Sequence, residues 1–284
     1  MPFPSTPQRP WLAALGRLLC RRGPTLGVAV VGHGTADPVG AEETLAVARM
    51  VAEMLSGTPV EAGFLEVIGP TIGDALGRLA ARGCTDVVAA PLLLFTAGHA
   101  RRDVPEAVRA GARAAGVAVR QADALGSHPA IVALSRARRD EALAGMPAVS
   151  PAHTVWLMVG RGASDPSAPA QLEAFAVAAS GPPSVGADGL PRLELGFVAA
   201  ARPTLSEAIA KAAAAAADRP VRRVIVQPHL LFRGHVEEQV TAAVDEARRR
   251  HPGIEWVQVR RLGADPLVAR AVVDRVATAA SSDV

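Results

Sequence analysis

The nonapeptide VVGHGTADP at Val30–Pro38 returns as MVGRGASDP at Met158–Pro166, with one histidine exchanged for arginine. Three more stretches return in the same order. GFLEVIGPTIGDAL (Gly63–Leu76) matches GFVAAARPTLSEAI (Gly196–Ile209), and PLLLFTAGHARRDV (Pro91–Val104) matches PHLLFRGHVEEQV (Pro228–Val240). ALGSHPAIVAL (Ala124–Leu134) matches RLGADPLVARA (Arg261–Ala271). The offset between copies drifts only from 128 to 137 residues. A repeat of this length requires a fold made of two like units, and 284 residues suffice for two domains.

Each copy alternates apolar, β-branched runs with alanine-rich stretches. The runs are Leu26–Val31, Val60–Leu65, Asp86–Leu94 and Val117–Gln121, then Thr154–Val159, Leu193–Val198, Val221–Gln227 and Ile254–Val259. Near-continuous apolar strands belong to sheets covered on both faces. Helical composition fills Ala41–Leu55, Ile72–Ala81, Ala168–Ala179 and Leu205–Ala217. Strand–helix alternation predicts an α/β fold of two duplicated domains, each a small parallel sheet flanked by helices. The expected divisions are an N-terminal extension at 1–24, a first domain at 25–147 and a second at 148–284. The join falls near Ala144–His153, which is rich in Pro, Ala and Ser.

Charge excludes some partners. The net charge is +3, Lys211 is the only lysine, and no basic cluster is interleaved with aromatics, so nucleic acid is not an expected partner. Apolar runs are too short to cross a bilayer. Cys20 and Cys84 cannot make a disulfide framework or a cysteine-based zinc site, which fits a cytoplasmic location. The short apolar part of the extension, Trp11–Leu19, lacks a basic flank before it and small residues after it, so a secretory leader is not expected.

Three metal-competent side chains follow three successive strands of the first copy: His33, Glu66 and His99, spaced evenly by 33 residues. Strands of a parallel sheet end on one edge, where open α/β folds bind ligands. Two imidazoles and a carboxylate there suit a divalent first-row cation, and neutral imidazole also accepts protons near pH 7. Taken singly, each has a bland alternative: a turn histidine bonded to backbone, a solvated carboxylate. The second copy tips the balance. It carries Arg161, Ala199 and His235 at the matching places, so two of the three side chains are gone while the apolar frame survives.

Other chemistry is not indicated. The chain has no GxxxxGK[ST] loop, GxSxG elbow or HExxH pair, and the third glycine of the dinucleotide fingerprint is missing. His128 precedes a proline where the second copy has Asp265, which predicts a helix N-cap. His153 and His251 read as surface loop residues, and His229, beside Pro228 at a strand end, is left as a cleft-facing alternative.

VVGHGTADP, AGFLEVIGPTIGDAL and PLLLFTAGHARRDVPEAV together resemble the signature segments of the CbiX/SirB-type sirohydrochlorin chelatases, from about Thr25 onward. The resemblance implies two flavodoxin-like, chelatase-like domains facing across a cleft, and insertion of Co2+ or Fe2+ into sirohydrochlorin for cobalamin or sirohaem. It implies His33 and His99 as metal ligands and proton acceptors, with Glu66 as their carboxylate partner and Asp103 as a further acidic position. No organic cofactor is implied; the metal is a substrate. Arg101, Arg102, Arg161, Arg233 and His235 are the candidates to hold the polycarboxylate macrocycle, since guanidinium groups suit carboxylates. Two alternatives stay open: a non-catalytic carrier of metal or tetrapyrrole on the same residues, and a histidine phosphatase. The phosphatase lacks its arginine, because Gly32 stands before His33. Self-association is also left open.

Overall fold

The computed structural model describes residues 25–95, 100–180, 191–214 and 220–281. The 1–24 extension and His99 therefore lie outside the described residues. Two four-stranded parallel sheets form the frame. In the first, β1 (Leu26–Gly32), β2 (Val60–Phe64), β3 (Asp86–Pro91) and β4 (Ala118–Gln121) stand in the order β2-β1-β3-β4. In the second, β5 (Thr154–Gly160), β6 (Arg192–Phe197), β7 (Arg223–Pro228) and β8 (Glu255–Gln258) repeat it as β6-β5-β7-β8. In this order the chain leaves β1 in one direction and returns past it to β3. The carboxyl ends of β1 and β3 therefore flank the switch point at which such sheets bind ligands.

Eight α-helices lie among the described residues. The first half holds α1 (Pro38–Met54), α2 (Ile72–Ala81), α3 (Ala100–Ala115) and α4 (Pro129–Leu143). The second holds α5 (Ala168–Ser180), α6 (Leu205–Ala213), α7 (His235–Arg250) and α8 (Pro266–Ser281). The central strands alternate between two cores, as a two-residue side-chain period requires. Val28, Val30, Val88 and Ala90 face one core, and Ala29, Val31, Val87 and Ala89 face another with Ile72, Leu76 and Val108. In the second half Trp156, Met158 and Ile225 face the first of these cores, while Val155, Leu157, Val159 and Val226 face a third with Ala208 and Val244. One core is thus common to both sheets.

That common core is closed by an exchange of helices. α4 follows the first sheet in the chain but docks on the second. The Gln227 amide of β7 donates to the Ser135 carbonyl at 2.7 Å and hydroxyl at 2.9 Å, and accepts from Trp156 Nε1 at 2.9 Å. Arg138, buried on α4, donates to the Leu262 carbonyl and to Asp265 at 2.8 Å each. α8 goes the other way. Its Arg275 donates to the Leu125 carbonyl, Arg120 of β4 donates to Ala280, and Val268, Val272, Val273 and Val276 are fully buried in the common core. Each fully buried valine of this kind contributes roughly 1.5–3 kcal/mol.

The structure adjusts several boundaries. α1 begins at Pro38, three residues before the predicted start, because the Asp37 carboxylate accepts from the Val39 and Gly40 amides and proline suits the first turn. β3 stops at Pro91, short of Leu94, because the Leu93 and Leu94 carbonyls turn to the Leu125 and Gly126 amides. His128 caps α4 through Nδ1, as its place before a proline predicts. His229 is buried between Phe175, with centroids 3.9 Å apart, and Phe95, at 5.0 Å; neither ring nitrogen has a hydrogen-bond partner. Burial alone pushes its pKa down to about 3.

Candidate functional site

β1 is buried along its whole length and ends at Gly32, where a Cβ would lie 2.9 Å from the Thr44 methyl and 3.0 Å from the Phe64 ring. The chain then emerges with His33 at the sheet edge. Two backbone bonds join this exit to the end of β2: the Leu65 amide donates to the Gly32 carbonyl at 2.9 Å, and the Glu66 amide to the His33 carbonyl at 3.1 Å. The loops can lie this close because Gly34 has φ +101°, and a Cβ there would stand 1.9 Å from the Glu66 carbonyl oxygen. No side chain larger than hydrogen fits.

The result is a close pair. His33 Nε2 lies 3.0 Å from Glu66 Oε1, with about a third of the His33 side chain and over half of the Glu66 side chain open to solvent. Beyond Glu66, Val67 takes φ +71° and the Ile68 amide donates back to the Glu66 carbonyl at 2.8 Å. This is a γ-turn conformation that costs a β-branched residue energy. Val67 itself is 64% exposed, so no buried side chain accounts for it. Strained backbone of this kind concentrates at functional sites.

The second half keeps the frame without the pair. The Val198 amide donates to Gly160 at 3.1 Å and the Ala199 amide to Arg161 at 2.9 Å. Gly162 has φ +87°, its Cβ position 1.8 Å from the Ala199 carbonyl oxygen, and Ala200 has φ +53° in the place of Val67. Arg161 and Ala199 therefore occupy the His33 and Glu66 stations. Arg161 is exposed and makes no ion pair with a described residue.

Of the other sequence candidates, Arg102 is exposed in the first turn of α3, with Asp103 partly buried beside it. Arg101 belongs to the same turn. His235 opens α7 and makes its contacts along that helix, to Glu238 at 3.6 Å and Gln239 at 2.9 Å. Arg233 is half exposed, and its Nε lies 3.2 Å from Asp37 across the two halves. Among the described residues no three His, Cys, Asp or Glu side chains form a metal-holding group, since only two of the three expected ligands fall within them.

Sequence reasoning passed over Glu43 and Arg261. Arg261 Nε donates to both Glu43 oxygens at 3.1 Å, and its Nη1 to both Glu237 oxygens at 2.9 and 3.0 Å. The available signal was a difference between the copies, for Arg261 matches Ala124.

A family model described as CbiX matches residues 27–142 and, separately, 155–279. The sirohydrochlorin ferrochelatase of Bacillus subtilis (strain 168) is 28% identical over 257 residues, covering 89% of this chain and 92% of that one. The sirohydrochlorin cobaltochelatase of Priestia megaterium is 25% identical over 250 residues, covering 87% and 78%. The solved structure of SirB from Bacillus subtilis with Fe3+ superposes with a TM-score of 0.76 at 23% identity, over 90% of this chain and 96% of that one, and so shares its fold.

Proposed function

Because the chain belongs to the CbiX family, we propose that it is a sirohydrochlorin chelatase, inserting Co2+ or Fe2+ into sirohydrochlorin. The observation that carries this reading is the solvent-open His33–Glu66 pair at 3.0 Å, held at a strand-end switch point in the half that retains it.

Insertion takes two protons from the macrocycle's pyrrole nitrogens and strips water from the incoming cation. The His33 imidazole serves as a metal ligand and then as proton acceptor, and Glu66 offsets the charge of the imidazolium so formed. His99 supplies the second imidazole on this reading, carried over from the third signature segment. The carboxylates of the macrocycle meet guanidinium groups at the rim: Arg101 and Arg102 from the first half, Arg161 from the second, with Arg233 and His235 as further contacts. Arg161 has thus changed tasks, from the metal station to substrate contact. The cytoplasmic location goes with a small-molecule substrate and a free buried thiol at Cys84.

The test is turnover. The chain should accelerate the loss of free-base sirohydrochlorin absorbance when Co2+ or Fe2+ is added, and His33→Ala should abolish the acceleration. Metal binding without acceleration would indicate a carrier instead.

A further inference from the structure

Resting on the reading of His33 as the reacting imidazole, we infer that the second half clamps the loop that carries it, with Arg233 and Arg261 as positioning residues. Five close approaches join the halves there. The Arg233 carbonyl oxygen lies 2.2 Å from where a Cβ on Gly40 would stand, so the loop after β7 rests on α1 at a distance only glycine permits. The Arg233 amide donates to Glu43 at 2.9 Å while its guanidinium pairs with Asp37, the N-cap of α1, at 3.2 Å. Arg261, from the loop after β8, is held between Glu43 and Glu237, and all three side chains are 16–22% exposed. Thr35 is drawn in as well, its hydroxyl 3.7 Å from the Cβ position of Gly234.

These contacts all fall on the C-terminal side of His33, from Thr35 to Glu43. The N-terminal side is fixed by β1, and the turn itself by the bonds to Leu65 and Glu66. The imidazole therefore projects from a loop held at both ends. A guanidinium engaged by two carboxylates at partial burial keeps its geometry better than an exposed pair does.

The clamp runs in one direction. The buried positions of α1 (Gly40, Thr44, Val47, Ala48, Val51) and α5 (Ala168, Leu172, Phe175, Ala176, Ala179) match residue for residue. In that register Gly40 corresponds to Ala168, Glu43 to Gln171, and Arg261 to Ala124. The glycine, the carboxylate and the guanidinium of the clamp are each missing from the reciprocal place. The half that lost its metal pair carries the arginine, and the half that kept the pair carries the receiving groups.

The experiment uses the full chain and Co2+ insertion kinetics with Arg261→Gln, Arg261→Lys and Arg233→Ala. Arg261→Gln is expected to lower kcat about tenfold with KM for sirohydrochlorin unchanged, because small misplacements of a reacting group are costly. Arg261→Lys should recover part of the loss. Parent kcat in both Arg261→Gln and Arg233→Ala would overturn the inference, whatever the melting temperature does. Arg233→Ala removes a half-exposed side chain, so it remains a test should Arg261→Gln not fold: loss of its pairing with Asp37 lowers kcat, whereas loss of a substrate contact alone raises KM and leaves kcat at the parent value. Hydrogen exchange reads the clamp without turnover. The amides of Asp37, Val39 and Gly40 donate to the Thr35 and Asp37 side chains, and their exchange should quicken in Arg261→Gln while that of β5 does not. Unchanged exchange ends the clamp; absence of insertion by the parent chain ends the functional reading instead.

Discussion

His33 Nε2 and Glu66 Oε1 lie 3.0 Å apart on the two loops that leave β1 and β2, which the Leu65–Gly32 and Glu66–His33 backbone bonds join. Removing the imidazole should lower the insertion rate by roughly 10²–10⁴-fold, the usual range for a positioned proton acceptor. Glu66→Gln keeps the size and polarity of the side chain but not its charge, and should fall between parent and His33→Ala. Single-turnover absorbance kinetics at fixed Co2+ would check both. Equal rates for parent and His33→Ala would remove His33 from the mechanism.

The two glycines provide an internal control. Gly34→Ala and Gly162→Ala each force a Cβ against a carbonyl oxygen at 1.9 and 1.8 Å with positive φ. Each should cost about 2 kcal/mol or more of stability. Only Gly34→Ala displaces the pair, so it alone should collapse kcat, while Gly162→Ala should melt at a similarly lowered temperature with near-parent kcat. Denaturant melts and initial rates on the two proteins, compared side by side, make the check.

Arg161→Ala should raise KM for sirohydrochlorin and leave kcat nearly untouched, the pattern of an interaction equal in ground and transition states. The increase should shrink as salt is added, since exposed charges are screened. An unchanged KM at low ionic strength would leave the Arg161 side chain without a substrate role.

His229 should give the protein an acid-sensitive stability. Its folded pKa, about 3, is below the ordinary 6.5, so the folded form disfavours the proton that the unfolded chain accepts. Stability is therefore intact above about pH 6.5 and declines as pH falls toward 3, by up to ~1.4 kcal/mol per unit. His229→Leu, which copies Leu92 of the first half, should raise stability at neutral pH by about 1–3 kcal/mol, having removed two buried unpaired nitrogens. It should also flatten the decline. Melting curves of parent and variant between pH 7 and 5 would show this as diverging lines; parallel lines would refute it.

The central strands β1, β3, β5 and β7 could be read from the chain because they are buried on both faces, which writes them as apolar runs such as Leu26–Val31; the edge strands, mixed in composition like AVRQ of β4, were legible through the strand–helix alternation and its repeat. His33 and Glu66 were legible for a related reason: a parallel sheet sends every strand end to one edge, so position along the chain reports position in space. What could not be read depends on partners distant in sequence. α4 and α8 are apolar where they should be, but nothing local states which sheet receives them. Glu43 and Arg261 are ordinary surface residue types until folding brings them together. His229 follows a strand like any edge residue, and its burial is decided by Phe95 and Phe175, one from each half.

The crossing of α4 and α8 bears on how a duplicated chain can divide its labour. Each half is missing a wall that only its sibling provides, so neither copy can drift free and cut its ties with the other. Covalent tethering keeps that sibling at a high effective concentration regardless of how much protein a cell makes. Under such an arrangement one copy can surrender its reactive groups and still be retained, because its loss would leave the surviving copy open to water.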